Sequence, residues 1–201
     1  MSSATDPSAG SAAEKETGRL EAFSDGVMAV IITIMVLELK PPSGTSFGDL
    51  RDRIPALLIY VLSFTFVGIY WNNHHHLLRA TSRISPAVMW TNLHLLFWLS
   101  LIPVVTEWVG QASGAAAPAA MYSLVSLCDA LAYTLLTWAI VRTEGHESRI
   151  AAALGRDLKG RLSVLVYVVA TPLAFVSPYL TYGLLVAVAV MWFVPDRRLA
   201  S

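Results

Sequence analysis

Residues 19–39 read RLEAFSDGVMAVIITIMVLEL. After Asp25 the run carries no charge until Glu38, and Pro41-Pro42 stops it. Such a stretch is about the length of one bilayer crossing in helical form. The same signature recurs along the chain, and it sets the fold class: an all-α, polytopic membrane protein. Of the 201 residues, 55% are hydrophobic and only 14% are charged, against about 25% charged in ordinary soluble domains. Acidic and basic residues balance at 14 each, so there is no bulk positive charge for binding nucleic acid. The lone Cys128 provides neither an internal disulfide nor a cysteine zinc site.

Further helical blocks are expected over 54–78, 84–109, 118–141, 162–176 and 179–194, giving six transmembrane helices with a kink at Pro103. The last two blocks are short for a crossing and require local thinning or burial. The six-helix unit spans 19–195. Residues 1–18, rich in Ser, Ala and Gly, are expected to form a disordered tail, and residues 196–201 a second tail. With six crossings, one side of the membrane holds only Lys40, Arg51 and Arg53 of the 14 Lys and Arg. The basic excess places both termini in the cytoplasm. The loop between the fourth and fifth blocks contains a possible amphipathic stretch through Ile150 and Leu154.

Polar residues inside spans act either as packing glue or as part of a pathway. Asp25 lies about 9 Å beyond Arg19, and His74 about 7.5 Å before Arg79, at 1.5 Å per residue. The two helices run antiparallel, so a carboxylate and an imidazole share one level and are expected to pair. Trp71, His74, His75 and Leu78 fall on one helix face, and His76 points elsewhere. That arrangement reads either as a clamp or as a proton-sensitive site. Successive His74, His75 and His76 diverge by about 100° and do not converge on one ion. A second face of the first helix carries Gly26, Val30, Thr33 and Leu37 as one stripe. Its single hydroxyl serves a pathway or simply bonds its own backbone.

Arg19-x-x-x-Phe23-Ser24-Asp25, with Trp71-x-x-His74-His75, Asn92 and Pro103, resembles the endolysosomal potassium channel family and its prokaryotic relatives. The likeness covers most of 19–110. It implies a homotetrameric, potassium-favouring cation channel in the plasma membrane. The family lacks a TVGYG filter, and no such string occurs here. The resemblance turns helix 1 toward the pore and Thr33 toward selectivity. It makes Val30 and Leu37 apolar constrictions, and places Arg19, Phe23, Ser24, Asp25, Trp71, His74 and His75 in a helix-anchoring network. The constriction position usually holds Ile or Leu; the smaller Val30 is expected either to widen the closed ring or to move the tightest point to Ile34 or Leu37. Glu38 stands near the outer mouth, as a cation-concentrating group or a solvated acid. The resemblance implies no enzymatic activity, no cofactor, and no metal besides permeant K+. The partners implied are further copies of the chain and the lipid bilayer. A proton-coupled transporter using Asp25, His74 and Asp129 is the other reading of the same polar residues.

Overall fold

The computed structural model describes residues 7–42, 44–145 and 157–193. Among them are eight helices and no strand: α1 (Pro7–Leu37), α2 (Phe47–Arg51), α3 (Ile54–Arg79), α4 (Pro86–Leu99), α5 (Ile102–Gln111), α6 (Ala116–Glu144), α7 (Leu158–Leu173) and α8 (Pro178–Phe193). The segment through Ile150 and Leu154 and the C-terminal tail lie outside the described residues. From Pro7 onward the expected N-terminal tail is instead a continuation of α1. Ala-rich sequence with Glu and Lys propagates an existing helix readily.

Four stretches are long and apolar enough to cross a bilayer: Lys15–Leu37, Ile54–Arg79, Pro86–Gln111 and Ala116–Glu144. Helices α7 and α8 have 16 residues each. They measure about 24 Å at 1.5 Å per residue, short of a hydrocarbon core of about 30 Å.

Local chemistry sets the breaks. The third block is two helices rather than one kinked rod. Pro103 has no N–H to offer the Leu99 carbonyl, and its ring crowds that carbonyl. The chain turns at Ser100-Leu101, with Leu101 N–H donating to the Trp98 carbonyl at 3.0 Å. Pro103 then sits in the first turn of α5, where a missing N–H costs nothing. Ser85 caps α4 by accepting from Val88 N–H, and Asp157 caps α7 by accepting from Gly160 N–H. Outside the spans, Ser46 and Asp49 form a reciprocal capping box on α2. The Ser46 hydrogen bonds hold the Asp49 carboxyl below its usual pKa range. Gly145 closes α6 at φ 96°, a conformation other residues adopt only under strain. One residue earlier, the Glu144 carboxylate accepts from the backbone N–H groups of Ser82 and Arg83 and from the Ser82 hydroxyl. The α3–α4 turn is thereby tied to the end of α6.

Helix α6 is the hub. It packs on α4, α5, α7 and α8, whereas α1 lies at the periphery against α3, α4 and α5. Leu95, Leu99, Tyr122, Leu136 and Ile140 fill the interior around it. Hydroxyls peg the apolar layers together. Buried Ser63 of α3 bonds Thr106 of α5 at 2.7 Å and Tyr122 of α6 at 2.8 Å. The substitution Tyr122→Phe keeps the ring and deletes one peg. It is expected to lower stability by about 0.6–1.7 kcal/mol, the range of such bonds in membrane proteins. Thermal unfolding in detergent measures this.

Candidate ion pathway and its polar anchor

Helix α1 has two faces of opposite fate. Ser24, Met28, Ile31 and Met35 recur at helical spacing, and all are buried against the bundle. On the other side Phe23, Val30, Ile34 and Leu37 are exposed, Leu37 to 79%. Thr33 is exposed within that same stripe. A single bundle therefore leaves an apolar strip along α1 uncovered, a strip that in a membrane meets lipid or another subunit. The Thr33 hydroxyl donates to the Val30 carbonyl at 2.9 Å. Its proton is committed to the backbone, while the oxygen lone pairs remain free on the exposed side.

The rotation of α1 is fixed by a buried polar junction. Ser24 of α1 donates to the Leu20 carbonyl at 2.8 Å and accepts from Asn92 Nδ2 of α4 at 2.9 Å. Asn92 Oδ1 in turn meets His74 Nε2 of α3 at 2.6 Å. An amide oxygen only accepts, so Nε2 carries the imidazole hydrogen. All three side chains are fully buried. The junction joins α1, α3 and α4.

The expected Asp25–His74 pair does not form. Asp25 Oδ1 accepts from Trp71 Nε1 at 3.0 Å, and Glu21 Oε1 lies 2.7 Å from His75 Nδ1. The common level of the two helices is correct. The face is not, because Trp71 and His75 look at α1 while His74 turns inward toward Asn92. Trp71 also stacks on His75, with ring centroids 5.9 Å apart and planes 24° apart. His76 is exposed, as the phase predicts.

Of the other expected site residues, Arg19 and Phe23 sit outside the junction, exposed, on a groove shared with Ile84 and Leu93. Glu38 lines a groove with Lys40, Arg51 and Arg53. Asp129 is fully buried in α6, and its oxygens have no hydrogen-bond partner among the described residues. Among the described residues no direct hydrogen bond links Asp25, His74 and Asp129. Sequence reasoning passed over Glu21. Its signal was the one-turn spacing to Asp25, which puts both carboxylates on one helix face.

With four helices long and apolar enough to cross a bilayer, and a peripheral helix whose polar anchor faces the bundle and whose hydroxyl-bearing apolar stripe faces away, the fold is that of a polytopic membrane protein. Comparison with known proteins makes this specific. Residues 19–103 match the model of the family described as "Endosomal/lysosomal potassium channel TMEM175". A potassium channel of Chryseobacterium sp. (strain P1-3) is 47% identical over 182 residues, covering 90% of this chain and 95% of that one. A potassium channel of Streptomyces collinus is 37% identical over 185 residues, covering 85% and 89%. The crystal structure of a lysosomal potassium-selective channel TMEM175 homolog from Chamaesiphon minutus superposes with a TM-score of 0.80 at 28% identity, covering 90% and 97%. The chain belongs to the TMEM175 family.

The junction generates a direct test. Replacing Asn92 with Leu strands the His74 Nε2–H in the interior and removes the donor to Ser24. The expected loss is about 1–3 kcal/mol. His76→Ala, at an exposed position, is expected to stay within about 0.5 kcal/mol of the parent. Melting of the two variants in detergent, monitored by size-exclusion, checks the ordering.

Proposed function

We infer that the chain is a potassium channel, conducting passively and catalysing no reaction. The exposed stripe Val30–Thr33–Ile34–Leu37 on α1 carries this reading. One bundle with one hydroxyl cannot surround an ion. Four copies around an axis bring four Thr33 oxygens into a ring, between apolar rings at Val30, Ile34 and Leu37. Free lone pairs replace part of the hydration shell, and the apolar rings gate by dewetting. Support for assembly comes from the uncovered apolar strip itself and from the preference of oligomers for closed symmetry. A ring of single hydroxyls is sparse, so selectivity for potassium over sodium is moderate. The residues of the polar junction serve the pore by holding α1 in rotation. Glu38 belongs to the outer entrance, where Lys40, Arg51 and Arg53 temper its field. The protein is multi-pass, with α7 and α8 as short crossings, both termini cytoplasmic and the plasma membrane as its site. The Lys/Arg asymmetry supports this orientation. Permeant K+ is the only ion the conduction reading requires.

Two measurements test this. Native mass measurement of the purified protein is expected to give four copies; a monomer that conducts overturns the assembly. Thr33→Val keeps the shape and removes the hydroxyl. If each of four oxygens favours potassium by about 0.2–0.3 kcal/mol, their loss reduces selectivity about five-fold. The reversal potential across proteoliposomes under opposed potassium and sodium gradients then moves toward zero. A wild-type value with conduction intact assigns Thr33 to helix packing alone.

A further inference from the structure

We propose that Glu21, Asp25 and His75 form a binding site for a divalent transition-metal ion, Zn2+ or its analogue Co2+, clamping α1 to α3. The site is independent of the conduction stripe and of the reading given to it. One ligand atom from each of the three residues lies within 4.8 Å of the other two. Glu21 and Asp25 stand one turn apart on α1, and His75 reaches across from α3. Zinc bonds carboxylate oxygen and imidazole nitrogen at about 2.0–2.2 Å, which sets neighbouring ligand atoms about 3.4 Å apart in a tetrahedron. Glu21 Oε1 and His75 Nδ1, at 2.7 Å, need only open slightly to admit the ion. The third ligand atom, from Asp25, lies within 4.8 Å of both.

A residue outside the trio holds two of the three ligands in place. The Trp71 indole N–H donates to Asp25 Oδ1 at 3.0 Å, leaving Oδ2 for an ion. The same indole stacks on the His75 ring. Such outer contacts orient metal ligands and raise affinity. All three ligands are half-buried, so the ion has access while bulk water is partly excluded. The donor set of one nitrogen and two oxygens favours zinc-like ions over Mg2+ and Ca2+, which prefer all-oxygen shells. Three protein ligands leave the remaining coordination position to water. The neighbouring imidazoles stand outside the trio: His74 is fully buried with Nε2 engaged by Asn92, and His76 is exposed.

The test uses the full-length protein purified metal-free in detergent. Co2+ is titrated by visible absorption, and Zn2+ is then used to displace it. Expected is one tight equivalent per chain, and an unfolding temperature that rises with added Zn2+. Glu21→Gln keeps a polar group of equal size and is expected to weaken the first equivalent at least about ten-fold, with the thermal shift lost. His75→Asn gives the same loss, and decides the matter if Glu21→Gln does not fold. His76→Asn is expected to bind as the parent does. The proposal is overturned if the wild type shows no saturable Co2+ absorption. It is equally overturned if tight binding survives in Glu21→Gln or His75→Asn, or is lost in His76→Asn.

Discussion

In hydrocarbon a polar side chain finds no water, so its partner must come from the protein. The Ser24–Asn92–His74 junction satisfies that requirement across three helices at once. Ser24 can reach Asn92 only when its face of α1 is turned inward. Met28, Ile31 and Met35 follow it into the bundle by helical spacing. Val30, Thr33, Ile34 and Leu37 are then turned outward with no further choice. One set of hydrogen bonds, placed well away from the stripe, thus selects which side chains a neighbouring copy or a lipid meets. That is a use of polar groups for orientation as much as for stability.

The second half of the chain solves a different problem. Helix α6 has neighbours on most sides, and its polar side chains are mainly hydroxyls. Tyr122 reaches Ser63, Ser123 accepts from Thr171, and Thr134 and Thr143 return to their own backbone. A hydroxyl that bonds the carbonyl one turn back carries its own partner wherever the helix goes. Such groups tolerate sliding between helices, whereas the amide of Asn92 requires both Ser24 and His74. Among the described residues, the amide junction at Asn92 and the hydroxyl junction at Ser63 fix helices against one another, and the backbone-bonded threonines do not.

Much of this was legible in the sequence. The apolar blocks, the stops at Pro41-Pro42 and the two faces of α1 all follow from spacing and composition, and the structure retains them. Partner identity did not follow. Helical periodicity says which residues share a face, but not which neighbouring helix each side of that face meets. The miss at Asp25 was one of face: Trp71 turns to α1 and meets it, while His74, three residues on, turns inward to Asn92. Pro103 announced a distortion; whether it would bend the helix or divide it depended on the neighbours available to Ser100 and Leu101. The count of crossings was the least legible. A 16-residue apolar helix has the composition of a span without its length, and sequence alone does not say what covers its ends.

The contacts of α1 change character along its length. Near Glu21–Asp25 it is held by hydrogen bonds to Asn92 and Trp71 and by the close approach of Glu21 to His75. Beyond Met28 the bundle touches it through Ile31 and the two methionines, Met28 and Met35. Thioether side chains slide and refit at little cost, and no proline or buried hydrogen bond interrupts this outer portion. Mechanically, the helix is a stiff rod pinned near its middle and cushioned from there to Leu37. A small tilt about the pin leaves the bonds of the pin intact. It displaces side chains in proportion to their distance from the fulcrum, so Leu37 sweeps a wider arc than Val30.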